Sequence, residues 1–123
     1  MGVKYIMKIT ETVQSGDWKA EKHVPVLHVA NNDGILEIKA IVGEEIEHPN
    51  TLEHHIGWIK VFFQPEGAKF PIEVGSFDFS AHGEEELLSN PEVTAKVKTD
   101  KKGTVYAISY CNIHGLWENS QEI

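Results

Sequence analysis

Val93-Thr94-Ala95-Lys96-Val97-Lys98 alternates apolar and polar residues without a break. A period of two places every apolar side chain on one face, as a half-buried β-strand requires and an α-helix cannot satisfy. The same reading applies to Leu36-Glu37-Ile38-Lys39-Ala40-Ile41-Val42, where Leu36, Ile38, Ala40 and Val42 share a face. Further strands are expected at 25–30, 55–64, 70–79 and 103–111. Turn-forming stretches separate them: Asn31-Asn32-Asp33-Gly34, Pro65-Glu66-Gly67, Asn90-Pro91 and Asp100-Lys101-Lys102-Gly103. Only Glu84-Glu85-Glu86-Leu87-Leu88 reads as briefly helical. Six or seven short strands in 123 residues point to one all-β domain spanning 1–123, an antiparallel, Greek-key β-sandwich.

The bulk chemistry narrows the function. A net charge of −8 argues against nucleic acid or an anionic membrane as partner, since phosphate recognition needs a basic surface. No apolar run reaches the roughly 20 residues of a membrane helix, and the N-terminal stretch does not read as a signal peptide. With a single cysteine and therefore no internal disulfide, a cytoplasmic location is expected.

That cysteine lies in Tyr110-Cys111-Asn112-Ile113-His114-Gly115-Leu116-Trp117-Glu118. Cys111 and His114, three apart on a turn, can reach one metal ion, and such a turn aims backbone N–H groups at the sulfur. Taken alone the pair is equally a buried inert cysteine beside a surface histidine. Seven histidines are unusual for this length, and several fall at strand ends or in loops. His48 and His54 flank a Pro-Asn loop. With the strand beginning near 54, His54 shares a face with Ile56 and Trp58, while His55 joins Gly57, Ile59, Val61 and Phe63 in the core. His54 is therefore taken as a ligand and His55 as structural, although two solvated loop histidines remain the simpler reading of that loop by itself. His23, between Glu21-Lys22 and Pro25, is weak evidence alone. His28 reads as a packed strand residue and His82 as a hydrogen-bonded loop residue; both are left out of the site.

Together His23, His48, His54, Cys111 and His114 offer four imidazoles and one thiolate. Five ligands exceed a tetrahedral structural zinc site and leave one position open on an octahedral ion. Two other readings stay open. One is a cupredoxin-like electron-transfer protein, with Gln121 in place of the axial methionine; the other is a zinc-stabilised binding module, which leaves His23 or His48 without a role.

Three ordered stretches, "GDWKAEKHVP" (16–25), "HPNTLEHHI" (48–56) and "YCNIHGLWE" (110–118), closely resemble those of superoxide reductases of the one-iron, neelaredoxin type in the desulfoferrodoxin family. The longer relatives carry an added N-terminal four-cysteine iron module, for which this chain has neither the cysteines nor the length. The resemblance implies an immunoglobulin-like sandwich of about seven strands bearing one mononuclear non-haem iron. It implies His23, His48, His54 and His114 as equatorial ligands and Cys111 as the axial one. Glu21 is then the sixth ligand of the ferric state, and Lys22 lies beside the open position. The implied reaction is one-electron reduction of superoxide to hydrogen peroxide without release of dioxygen. A rubredoxin-like electron donor and a homotetramer are implied as partners. Ferrous iron with one thiolate and four neutral imidazoles carries +1, so with Lys22 the site can attract a small anion to a protein of net negative charge. N–H groups of the turn after Cys111 are expected to bond to the sulfur and temper its electron donation.

Overall fold

The computed structural model describes residues 7–16 and 22–123. Among these residues seven strands form two antiparallel sheets. The first sheet joins β1 (Val26–Asn32), β2 (Ile35–Ile41) and β5 (Glu92–Lys98) in the order β1-β2-β5. The second joins β3 (Ile56–Pro65), β4 (Ile72–Asp78), β6 (Gly103–Cys111) and β7 (Gly115–Glu122) in the order β4-β3-β6-β7. The chain changes sheet between β2 and β3, between β4 and β5, and between β5 and β6. This is the all-β antiparallel sandwich expected from the alternating stretches, in the immunoglobulin-like form that the family resemblance implies. Among the described residues no helix is long and apolar enough to cross a membrane.

The alternations define the inner faces. Leu36, Ile38 and Ala40 of β2 and Val93 and Ala95 of β5 are buried, while Thr94, Lys96 and Lys98 face solvent. From the other sheet Ile59, Val61 and Phe63 of β3, with Val105 and Ala107 of the adjacent β6, face these residues across the core. Burying such side chains contributes on the order of 1.5–3 kcal/mol each, the main favourable term in the fold. The stretch 84–88 forms a short 3-10 turn, Glu84–Glu86. β7 is the strand the periodicity did not place. It is an edge strand in which Trp117 alone is buried, so it carries no apolar alternation.

Two expectations need correction. His28 is not packed inside: Leu27 and Val29 take the inner positions of β1, so parity turns His28 outward, where Nε2 lies 2.6 Å from Glu44 Oε1. His55 is not in the core either. A β-bulge separates the pairs Ile56–Cys111 and Trp58–Tyr110, making Gly57 an extra residue. The bulge shifts the phase, so Ile56 and Ile59 both point inward although three apart. Gly57 fits there because a Cβ would approach the Tyr110 ring to 3.1 Å. His55 is left half-buried, its ring stacked on His82 at 3.5 Å and its Nδ1–H donating to Thr51 O at 3.0 Å. His82 is the hydrogen-bonded loop residue expected, donating Nε2–H to Phe79 O at 2.7 Å.

Candidate metal centre

Antiparallel pairing brings distant stretches to one end of the sandwich. The start of β1 lies beside the end of β2, and the start of β3 lies beside the end of β6. His23 precedes β1, His48 and His54 lie in the β2–β3 crossover, Cys111 ends β6, and His114 sits in the β6–β7 turn. Every ligand candidate therefore arrives at the same end.

Cys111 is inside for the same reason as the core. Val105, Ala107, Ser109 and Cys111 alternate along β6 and are all fully buried. Ser109 Oγ donates to His23 O at 3.1 Å, and Asn119 Nδ2 donates to Pro25 O at 3.0 Å. These two bonds fasten the segment that carries His23 onto β6 and β7. Trp117 stacks on the His23 ring at 4.6 Å and 11°, and its Nε1–H donates to His114 O at 3.2 Å. Gly43 turns the chain at φ +85 into the crossover, where a Cβ would meet the His48 backbone N at 2.7 Å.

The four imidazoles form a closed ring. Neighbouring centroids are 4.8 Å apart for His23–His48, 4.8 Å for His48–His54, 5.0 Å for His54–His114 and 4.8 Å for His114–His23. Interplanar angles of 74°, 80°, 57° and 71° set successive rings on edge, so nitrogens rather than ring faces converge. Candidate ligand atoms of His23, His48, His54 and Cys111 all lie within 4.8 Å of one another. His114 Nδ1 joins them, 3.1 Å from His23 Nε2 and 3.8 Å from Cys111 Sγ. The His114 backbone N–H points at Sγ from 3.4 Å, the turn-to-sulfur contact expected from the sequence.

Hydrogen bonding fixes which nitrogen of His48 is available. Pro49 O can only accept, so His48 Nδ1, 2.6 Å away, carries the proton and Nε2 keeps the lone pair. That Nε2 and the Nε2 of His54 are buried without a hydrogen-bond partner among the described residues. Two orphaned buried nitrogens in one cluster cost free energy unless a cation takes their lone pairs. Electrostatics favours the same neutral state. Burial pulls His48 down from 6.5 to about 4, with the charges of His23, His54 and Lys22 pulling the same way against the Pro49 bond. Burial also lowers His54, aided by His114, Lys22 and His55. Imidazoles held toward their neutral form at His48 and His54, beside a buried sulfur, fit a soft or borderline metal ion and poorly fit a hard one.

The charge of Lys22 is among the lesser causes that lower His48 and His54. Glu21 lies outside the described residues. Gln121 pairs with Val105, six residues along β7 from the Gly115–Cys111 pair, so about 20 Å separates it from the sulfur. That distance removes it as an axial ligand and with it the cupredoxin-like reading. A zinc module that leaves one histidine without a role also disagrees with the closed ring. Sequence reasoning did not find Ser109, Asn112, Asn119 or Trp117. Trp117, three residues after His114, carried the one usable signal, since an aromatic beside a ligand turn can wall a site.

Comparison with known proteins agrees with this geometry. A family model described as desulfoferrodoxin matches residues 15–120. A superoxide reductase of Pyrococcus horikoshii is 50% identical over 115 residues, covering 94% of this chain and 98% of that protein. A neelaredoxin of Megalodesulfovibrio gigas is 45% identical over 127 residues, covering 95% and 98%. Among solved structures, a superoxide reductase in the oxidised state superposes with a TM-score of 0.90 at 48% identity, over 94% of this chain and 99% of that one. The reduced neelaredoxin of Archaeoglobus fulgidus gives a TM-score of 0.86 at 47% identity, over 91% and 98%. With its matched stretch running from before β1 into β7 and its candidate metal ligands gathered at one end, the chain belongs to the desulfoferrodoxin family.

Proposed function

We propose that this protein is a superoxide reductase working as a single domain over residues 1–123, with one iron ion per chain as its cofactor. The observation that carries the proposal is the closed ring of four imidazoles with a buried thiol beside it. His23, His48 and His54 would hold the metal through Nε2, His114 through Nδ1 and Cys111 through Sγ. Bound there, iron supplies the single electron that, with two protons, converts superoxide to hydrogen peroxide.

The chain supplies the rest. Cys111, fully buried, closes the inner side of the ring, and the exposed His114 opens the other side to solvent. The His114 N–H on the sulfur withdraws electron density and so tempers what the thiolate donates. His48 is neutral at physiological pH, the form a ligand needs. Lys22 draws the anion in: within the ~8 Å screening length of physiological salt its charge outweighs the distant acidic residues. Glu21, next to Lys22 in the sequence, would serve as a further ligand of the oxidised ion, a role that rests on the family. A rubredoxin-like protein provides the electron, the chain assembles as a homotetramer, and the location is cytoplasmic. The donor and the assembly rest on the family, and the location rests on the lone cysteine.

The test is metal analysis of protein isolated without added metal, followed by addition of superoxide to the reduced form. One iron per chain and a superoxide-driven change in the visible spectrum support the proposal. A colourless zinc protein with no redox change overturns it.

A further inference from the structure

The metal site is assembled from three chain segments: 22–25 before β1, the 42–55 crossover, and the 111–114 turn. Ser109 and Asn119 fasten the first, leaving the question of what fastens the second to the third. Asn112, the residue after Cys111, makes three hydrogen bonds across that junction. Its Oδ1 accepts the His55 backbone N–H at 2.8 Å, and its Nδ2–H donates to Glu53 O at 3.0 Å. Its own backbone N–H donates to His55 O at 3.2 Å. The side-chain amide thus grips the backbone on both sides of His54, while its Cα is one residue from the sulfur.

We infer that Asn112 is a positioning residue that sets His54 against the Cys111 thiolate and thereby tunes metal affinity and the metal–sulfur bond. The inference deepens the reading of this cluster as the metal centre. The residue type follows from the geometry. Bridging a carbonyl and an N–H needs one donor and one acceptor a short reach from the backbone, and aspartate offers only acceptors. Metal ligands must sit within a few tenths of an ångström of their ideal distance, so a loosened His54 shows directly in binding.

The experiment is anaerobic titration of metal-free protein with Co²⁺ against a competing chelator, read at the thiolate-to-cobalt absorption band. Asn112→Ala is expected to bind Co²⁺ about 10–100-fold more weakly than wild type, the usual cost of losing a ligand's supporting hydrogen bonds, and to shift the band. Asn112→Asp, which keeps the acceptor for His55 N–H and loses the donor to Glu53 O, should also weaken binding and provides a second variant if the alanine protein folds poorly. Asn50→Ala serves as comparison: it removes the Asn50 Nδ2 bond to Ser89 O at 3.0 Å, elsewhere in the same crossover. It should leave affinity and band near wild type. Wild-type affinity and an unmoved band in both Asn112 variants overturn the inference, as does an equal loss in Asn50→Ala. If wild-type protein itself shows no thiolate-to-cobalt band, the metal-centre reading fails instead.

Discussion

Replacing Gly43 with alanine applies two penalties at one atom. At φ +85 an L-residue is strained by about 1–2 kcal/mol. The new Cβ would also meet the backbone N of His48 at 2.7 Å, below the 3.0 Å that real Cβ contacts essentially never cross, so the backbone must yield by several tenths of an ångström. Ligand positions tolerate only about 0.2 Å, so the shift that relieves the clash carries His48 out of register with the other three rings. Gly67→Ala separates the two effects: Gly67 has nearly the same φ, +86, with nothing within 4 Å of the added Cβ. Both variants should lose about 1–2 kcal/mol of metal-free stability from φ alone, Gly43→Ala losing more. Only Gly43→Ala should also bind Co²⁺ or Fe²⁺ more weakly, by about tenfold or more. The assays are denaturant unfolding of the metal-free forms and chelator-competition titration. Equal metal affinity in the two variants would refute the claim that Gly43 holds His48 in place.

Cys111→Ser, reloaded with iron, should lose its thiolate charge-transfer absorption and reduce superoxide far more slowly; a wild-type rate would contradict the role given to the sulfur. Lys22→Ala should slow the bimolecular reaction and flatten its dependence on ionic strength, measured by pulse radiolysis, whereas an unchanged rate at low salt would reject steering. Metal-free protein should lose stability as pH falls from about 6.5 to about 4. The unfolded chain takes up a proton on His48 in that window and the folded chain does not, so stability rises with pH across it. Unfolding free energies flat between those limits would show that His48 is not held neutral.

The strands were legible where one face is apolar and the other polar, as in β2 and β5, because alternation records burial directly. β7 was not, since an edge strand that buries only Trp117 leaves no period to read. The bulge at Gly57 was equally invisible. A single extra residue shifts the phase of everything before it, which is why His55 was assigned to the core and instead lies against His82. The parity of β1 was obscured by an apolar run, and His28 was placed inside on that account. The ligand candidates were legible by residue type and by the resemblance of three ordered motifs. Their supports were not: Ser109, Asn119 and Asn112 act through backbone carbonyls and N–H groups of residues far away in sequence, and no local pattern marks such bonds.

Reduction and dismutation of superoxide at the ring of His23, His48, His54 and His114 with Cys111 differ in their products. The most direct measurement is the amount of hydrogen peroxide and dioxygen formed per superoxide consumed by the reduced, iron-loaded protein with an electron donor present. Reduction requires one peroxide per superoxide, one electron drawn from the donor and no dioxygen. One peroxide per two superoxides, with dioxygen released and the donor untouched, would contradict it.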